Sequence, residues 1–302
     1  MEILENEPMS RHTSFKVGGP ARYLAKVDGI AGVKAALGLA REKGLPYFIL
    51  GNGTNLLVSD KGYDGVIVTL GGEFSSIEDL GNGAFKVGAA VPLGRFARAA
   101  LKQGYAGIHK LAGIPGTLGG ALYMNAGAYG QEIGTCCTQV TVLDDAGNTR
   151  DIASADCAFG YRQSNFQKSK EIILSATFQL PSASAQGKDV ADLEAELAEC
   201  MAKRKATQPL NMPNAGSTFK RLTAGAADTP VQIAPGYYIE QAGLKGHRIG
   251  GAEVSTLHAN FIVNAGGATA KDIKELSEFV QARVAEKFGI ELKREIILLG
   301  EF

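Results

Sequence analysis

GIPGTLGGALYMNAGAYG, residues 113–130, carries six glycines, at positions 113, 116, 119, 120, 127 and 130. A glycine inside a helix or strand costs about 1 kcal/mol relative to alanine, so packing of regular elements alone does not account for this density. Two readings fit it: a Gly-rich turn between two elements, or a loop whose backbone approaches a ligand. Pro115 fixes one φ angle and has no N–H. The glycines around it leave several N–H groups bare, an arrangement suited to phosphate oxygens. The apolar run 121–124 is expected to be a short helix with its N-terminus toward that anion.

Upstream, 21–27 reads as a strand. Ile30, Val33, Leu37 and Ala40 then recur at helical spacing, and Gly44 ends that helix. A strand at 47–50 runs directly into Gly51-Asn52-Gly53-Thr54-Asn55, and further strands follow at 56–58 and 65–70. This is a small α/β unit with a Gly-Asn loop at a strand end, where such folds hold ligands. The loop is not a Rossmann fingerprint, because Leu56 stands where the third glycine is required. A phosphate-binding Walker loop is absent too: Gly187-Lys188 has Ser182 in place of the first glycine. Two Gly/Asn-rich loops in consecutive α/β units suit one long ligand with a diphosphate between them, which points to a dinucleotide.

Downstream, a strand at 85–91 and a helix at 93–103 lead into the glycine stretch. Strands at 139–143 and 171–180 follow it, with hairpin chemistry in Asp144-Asp145-Ala146-Gly147-Asn148. PSASAQG (181–187) reads as a linker. Val190, Leu193, Leu197 and Cys200 mark an amphipathic helix ending near Lys205. From Gln208 the composition turns to prolines and polar residues, QPLNMPNAGSTFKR, which suggests a third domain. It holds a strand at 261–263, a helix with Ile273, Leu276, Val280 and Val284 in phase, and a last strand at 290–299. Alternation along that strand places Glu295 on one face with Ile297 and Leu299. Such a carboxylate is paired, or sits in a site that raises its pKa, or lies on an edge strand in water.

The bulk properties exclude several classes. Lys plus Arg and Asp plus Glu number 31 each, so no global field recruits nucleic acid or an acidic membrane. With 302 residues, two or three domains are expected. The four cysteines form no CxxC pair, and the N-terminus MEILENEPMS lacks the apolar core of a secretory signal. No apolar run approaches the ~20 residues that span a bilayer. A cytoplasmic protein with reduced thiols and no obligate protein partner is the expectation. His12, His109, His247 and His258 show no metal-ligand spacing. Tyr161-Arg162-Gln163-Ser164-Asn165-Phe166 is a polar–aromatic cluster that fits a surface loop as well as a site, and Ser217 fits an N-cap or turn as well as a catalytic role.

Taken together and in order, five segments are more specific than any of these patterns. GNGTNLLVSDKGYDGVIV (51–68), GIPGTLGGALYMNAGAYG (113–130), YRQSNF (161–166), NAGSTFKR (214–221) and AGLKGHRIGGAEVSTLHANFIVN (242–264) closely resemble the UDP-N-acetylenolpyruvoylglucosamine reductase family, bacterial flavoenzymes of cell-wall precursor synthesis. The resemblance extends from HTSFKVGGPA near the start to REIILLGE at the end. It implies an α/β (α+β) chain: a two-part FAD-binding region of the vanillyl-alcohol-oxidase type (1–71 and 72–206), then a C-terminal α/β domain (207–302) that binds a UDP-sugar. The last strand belongs either to that domain or to the FAD region.

The implied reaction is NADPH-dependent, FAD-mediated reduction of UDP-N-acetylglucosamine enolpyruvate to UDP-N-acetylmuramate. The implied cofactor-binding residues are Gly51, Asn52, Gly53, Thr54, Asn55, Leu56, Gly113, Ile114, Pro115, Gly116, Thr117, Gly119, Gly120, Asn125, Ala126 and Gly127. Arg162 is implied as the cation at the enolate, Ser217 as its proton donor and Glu295 as part of the carboxylate site. Lys220, Arg221 and Asn260 are implied substrate contacts. The chain departs from the family at His12, where asparagine is common, at His109, where glutamate is common, and in the segment after Arg221. Another FAD-dependent oxidase or dehydrogenase on the same scaffold is the alternative.

Overall fold

The structure, a computed structural model, describes residues 1–224 and 231–302. By its internal contacts the chain forms two units: one of Met1–Leu4, Tyr23–Asn52 and Gly65–Arg204, the other of Glu5–Arg22, Gly53–Asp64 and Lys205–Phe302.

In the first unit, helix α1 (Ile30–Glu42) turns Val33, Ala36 and Ala40 inward. They meet Ala25 and Val27 of the strand Pro20–Val27 and Val66 and Val68 of Tyr63–Leu70. The sheet order is Glu2–Pro8, Pro20–Val27, Tyr63–Leu70, Tyr47–Leu50, and the last two strands run parallel. A second sheet of five strands has the order Thr149–Ala153, Cys137–Leu143, Ile172–Gln179, Ala84–Gly88, Ile77–Gly81, antiparallel throughout. Helices α2 (Leu93–Lys102) and α3 (Leu118–Tyr123) share its core, in which Phe96 packs against Phe85 and Phe178 with ring centroids 5.7 and 5.0 Å apart. Leu143, Ile172 and Leu174 join the core under α1, so both sheets of this unit bury apolar area against one helix. Helix α4 (Val190–Thr207) ends the unit.

The second unit is built on α5 (Pro235–Gln241) and α6 (Ala270–Phe288). Ile273, Leu276, Val280 and Val284 of α6 pack on Ala252, Val254 and Ile262 of the antiparallel sheet Arg248–Ile249, Ala252–Val254, Ile262–Asn264. The in-phase residues of 270–288 thus form the apolar stripe that the sequence announces. A Thr269–Asp272 capping box starts α6, and Gly289, at φ 67°, ends it. Asp60 adds a second cap: its two carboxylate oxygens accept from the N–H groups of Ala270 and Lys271 at 2.8 and 2.9 Å. Ile297–Leu299 pairs in parallel with Leu56–Val58, and Leu222–Ala224 pairs with Val231–Ile233.

Four expectations are corrected. The strand expected at 85–91 stops at Gly88, because a Cβ there would lie 2.1 Å from Phe74 O and the chain turns, Val91 N–H donating to Gly88 O. The helix expected at 121–124 begins earlier, at Leu118, capped by Thr117. PSASAQG does not behave as a linker: Ala183 is buried, its N–H donates to Gly104 O, and Pro181 O accepts from Ala106 N–H. The last strand covers only Ile297–Leu299. Upstream of it only Arg294 pairs, through a single bridge to Phe219, so no continuous ladder carries the expected alternation through Glu295.

Candidate active site

Within the first unit, Gly51 and Asn52 leave the strand Tyr47–Leu50 and meet the start of the glycine stretch. Asn52 Nδ2 donates to Pro115 O at 2.7 Å. A Cβ on Gly51 would lie 2.5 Å from Thr117 Oγ1, so only glycine lets the two loops touch there. Leu118 and Gly119 N–H donate to Val91 O and Ala89 O, and Gly120 N–H reaches Thr117 Oγ1 at 3.4 Å. Among the described residues, the N–H groups of Asn52, Gly116 and Thr117 have no acceptor in the protein. Bare backbone donors on converging loops fit an anionic diphosphate.

The glycines of the stretch differ in cause. A Cβ on Gly113 would lie 2.7 Å from Arg204 Cδ, one on Gly119 3.1 Å from Ala89 Cβ, and one on Gly127 2.8 Å from Gln131 O. Those three are glycine because the protein itself comes close. Gly130, at φ 79°, turns the chain between Gly127–Ala128 and Gln131–Glu132. Gly120 is exposed, and a Cβ there would meet only Thr117 Oγ1, at 3.5 Å. Glycine density therefore points to a ligand at fewer positions than the bare count suggests. Ile114 packs, partly buried, against the core.

Asn125 and Arg162 are tied together in the same unit. Asn125 is buried with φ 40°, accepts from Gly134 N–H at 3.0 Å, and donates to Glu132 Oε2 and Gly160 O at 2.9 and 3.0 Å. Gly160 and Gln163 exchange backbone hydrogen bonds at 3.1 and 3.0 Å, which puts Tyr161 and Arg162 at the tip of a tight turn. Arg162 adopts φ 53°, uncommon for a branched-free but long side chain and maintained by its surroundings. Its Nη2 donates to Gly127 O at 2.9 Å, and its guanidinium carbon lies 5.0 Å from the Tyr161 ring centroid. Ala126 closes the end of α3, its N–H donating to Ala121 O at 2.7 Å. A hollow of about 390 Å³ lies beside Asn125, Glu132 and Phe159 and does not include Arg162.

In the second unit, Asn260 clamps the segment that carries Ser217. Asn260 is buried; its Nδ2 donates to Phe219 O at 2.9 Å and its Oδ1 accepts from Phe219 N–H at 3.1 Å. Its carbonyl accepts from Thr218 N–H at 2.7 Å. On the other side, Glu295 N–H donates to Thr218 O and Lys220 N–H to Lys293 O, both at 2.8 Å. Ser217 therefore stands one residue from the carbonyl that holds Glu295, and Lys220 and Arg221 continue along the same segment. Asn260 acts here as a clamp on residues 218–219, since both its amide atoms are engaged inside the protein. Asn55 Nδ2 donates to Glu295 O at 3.1 Å, and Gly53, at φ 61°, has His12 O where a Cβ would stand, at 2.1 Å. Thr54 links them. Leu56 is a buried strand residue paired with Ile297, which makes its side chain core. Residues 225–230, part of the segment that departs from the family, lie outside the described residues.

The sequence reading passed over Gln167, which supports Arg162. Ser164 Oγ and Gln167 Nε2 both donate to Tyr123 O, at 2.7 and 2.9 Å, and Gln167 also donates to Arg162 O at 3.1 Å. The available signal was the run of polar side chains directly after Arg162. It passed over Glu196 as well. Lys188, His109 and Lys110 surround that carboxylate and hold it down to about 2, Lys188 contributing most. Burial keeps His109 below its usual imidazole range, against the opposing pull of Glu196. His258 is lowered by burial too, and its Nδ1 accepts from Asn260 N–H at 3.2 Å. All four cysteines are free, with burial pushing Cys137 up to about 12 and Cys157 to about 11. Among the described residues no group of His, Cys, Asp or Glu side chains could hold a metal ion, and no helix is long and apolar enough to cross a membrane.

Comparison with known proteins matches this division of labour. Residues 21–153 match the family model described as an FAD binding domain, and residues 208–299 match the one described as the UDP-N-acetylenolpyruvoylglucosamine reductase C-terminal domain. The UDP-N-acetylenolpyruvoylglucosamine reductase of Heliobacterium modesticaldum is 41% identical over 99% of this chain and 91% of its own. That of Caldanaerobacter subterraneus subsp. tengcongensis is 43% identical over 98% of this chain and 93% of its own. The crystal structure of the Thermus caldophilus reductase superposes with a TM-score of 0.80 at 33% identity, covering 99% of this chain and 98% of that one. With its two Gly-rich loops in contact, its clamped Ser217 segment and this likeness over nearly its whole length, the chain belongs to the UDP-N-acetylenolpyruvoylglucosamine reductase family.

Proposed function

We propose that this protein reduces UDP-N-acetylglucosamine enolpyruvate to UDP-N-acetylmuramate with NADPH, in the bacterial cytoplasm. The product feeds peptidoglycan synthesis, and through it cell shape and division. The observation that carries this reading is the double clamp, Asn260 on one side and residues 293–295 on the other, on residues 218–220 next to Ser217 in a chain of this family. Residues 1–71 and 72–206 are the two parts of the FAD region and 207–302 the substrate domain.

When bound, FAD supplies the hydride chemistry that no side chain can perform. The protein's own groups do the rest. The N–H groups of Asn52, Gly116 and Thr117 take the cofactor diphosphate, with Gly51 letting the two loops meet, Pro115 fixing the backbone before Gly116 and Gly120 leaving the end of the loop bare. The remaining loop residues, Gly53 to Asn55, Gly113 and Gly119, and Asn125 to Gly127, shape the backbone around it. NADPH gives up its hydride and leaves as NADP before the sugar nucleotide enters the same place. Lys220 and Arg221 bind the UDP diphosphate. Reduction at the terminal methylene carbon places negative charge on the neighbouring carbon and its carboxylate. Arg162 neutralises that charge, and Glu295, as a protonated acid, completes the carboxylate site by donating a hydrogen bond. Ser217 gives its hydroxyl proton to the carbanionic carbon; the charge growing beside a weak acid offsets its high intrinsic pKa.

The direct test is a coupled assay. The purified protein should be yellow, turn over NADPH beyond one equivalent only when the enolpyruvyl sugar nucleotide is present, and yield a product heavier by one hydride and one proton. Oxidation of a simple alcohol or sugar with rapid oxygen consumption, and no turnover of the enolpyruvyl ether, rejects the proposal in favour of an oxidase on this scaffold.

A further inference from the structure

Helix α4 is fastened to both ends of the glycine stretch by one stripe of residues. Of its eighteen residues only Leu193 and Cys200 are buried, so apolar burial does not fix its C-terminal half. Glu196, Cys200 and Arg204 lie at i, i+4 and i+8, on one face. Glu196 Oε2 contacts His109 Nε2 and Lys110 Nζ, each at 3.0 Å, at the start of the helical turn His109–Gly113 that leads into the glycine loop. Its other oxygen is held by Lys188. Cys200 O accepts from Tyr129 OH at 3.1 Å, beyond the loop's far end. Arg204 Cδ and Met201 Sδ occupy the space beside Gly113, 2.7 and 3.1 Å from where a Cβ would be.

The hydrogen bonds around His109 settle its tautomer. Gln131 Oε1 is taken by Lys110 N–H at 2.9 Å, so Gln131 turns its amide nitrogen to His109 Nδ1, at 3.5 Å. Nδ1 is therefore the acceptor, and the ring proton sits on Nε2, facing Glu196. His109 is 1% exposed. A buried neutral imidazole aimed at a carboxylate on a neighbouring helix fixes direction as well as distance, unlike an exposed ion pair.

We propose that Glu196, acting through the Nε2–H of His109, is a positioning residue for the 113–120 loop and thereby for the flavin dinucleotide the loop holds. The inference rests on the FAD reading of that loop. Glu196 touches neither cofactor nor substrate in this role; it sets where Gly116 and Thr117 present their N–H groups.

The test is FAD release from the diluted holoenzyme, followed by the rise of free-flavin fluorescence, with the visible circular dichroism of the bound flavin as a second readout. Glu196→Ala should release FAD about tenfold faster and alter the dichroism, as loss of a charge-assisted hydrogen bond implies. Glu196→Gln keeps an acceptor for the Nε2–H and should stay within about threefold of wild type. His109→Phe keeps the buried volume, removes the donor, and should behave like Glu196→Ala. Release at the wild-type rate from either disrupted variant, with unchanged dichroism, overturns the positioning role even if the melting temperature falls. Should Glu196→Ala fail to fold, His109→Phe decides by the same criterion. A wild type that carries no flavin and takes up none overturns the loop's FAD reading as well; a flavin-bearing wild type with unaffected variants overturns the positioning role alone.

Discussion

Ser217 owes its place to hydrogen bonds made by its neighbours, since Thr218 is bonded on one side to Asn260 and on the other to Glu295. Ser217→Ala leaves those bonds intact. It should keep the NADPH half-reaction and slow reduction of the enolpyruvyl ether about 10²- to 10⁴-fold, the range for loss of a positioned proton donor. Stopped-flow of the two half-reactions checks it; equal slowing of both would remove Ser217 from the proton-transfer step. Asn260→Ala strips Phe219 of both partners in a buried setting. It should lower stability by about 1–3 kcal/mol in denaturant titration and also slow the enolpyruvyl half-reaction. A raised KM with unchanged stability would instead make Asn260 a substrate contact. By composition Ser217 was indistinguishable from a cap or turn residue, and only the order of motifs singled it out. The clamp role of Asn260 was not legible because its partner Phe219 lies 41 residues away, a pairing that exists only once the fold does.

Elements with a strong period were legible, and those shaped by their neighbours were not. Helices α1, α4 and α6 fall where apolar spacing places them, and α1 and α6 each bury one stripe. The segment 290–296 reads as a strand but pairs through a single bridge, Phe219 with Arg294, and sends Leu292 and Ile296 inward. The start of α6 depends on Asp60, some 210 residues earlier in the chain. Asp60→Ala removes two backbone partners from that helix terminus and should destabilise the protein by about 1–2 kcal/mol in denaturant titration. No loss would mean that the Thr269–Asp272 box suffices. The link between α4 and the turn at His109 has a pH signature. Burial depresses the His109 pKa, so the unfolded chain binds more protons just below its ordinary value near ~6.5. This contribution is full above that value and is lost as pH falls toward the folded one. Melting temperature should drop between about pH 7 and 5.5, and His109→Gln should flatten the slope. His258, also lowered by burial, keeps the slope from vanishing. Glu196, held down to about 2, keeps its contribution in full across that window and loses it only at lower pH, between the ordinary carboxylate range and its folded value. An unchanged slope in His109→Gln contradicts a neutral buried imidazole.

At the scale of the molecule, the family was readable from five ordered segments, while the composition of the units was not. Glu5–Arg22 and Gly53–Asp64 group with the C-terminal third, and the chain crosses between units at Asn52 and Gly53, inside the GNGTN loop. The parallel pairing of Leu56–Val58 with Ile297–Leu299 joins segments some 240 residues apart, and no local periodicity encodes it. Glycine density showed the reverse failure: it was visible at once, yet three of the six glycines answer to packing by the protein itself. The measurement that bears most directly on the proposed chemistry is an anaerobic two-step absorbance experiment on the purified protein. NADPH should bleach the flavin band, and UDP-N-acetylglucosamine enolpyruvate, added after NADP is removed, should restore it in full with one equivalent of UDP-N-acetylmuramate formed. A bleached protein that the enolpyruvyl sugar nucleotide leaves colourless, while oxygen recolours it at once, would contradict the reductase assignment.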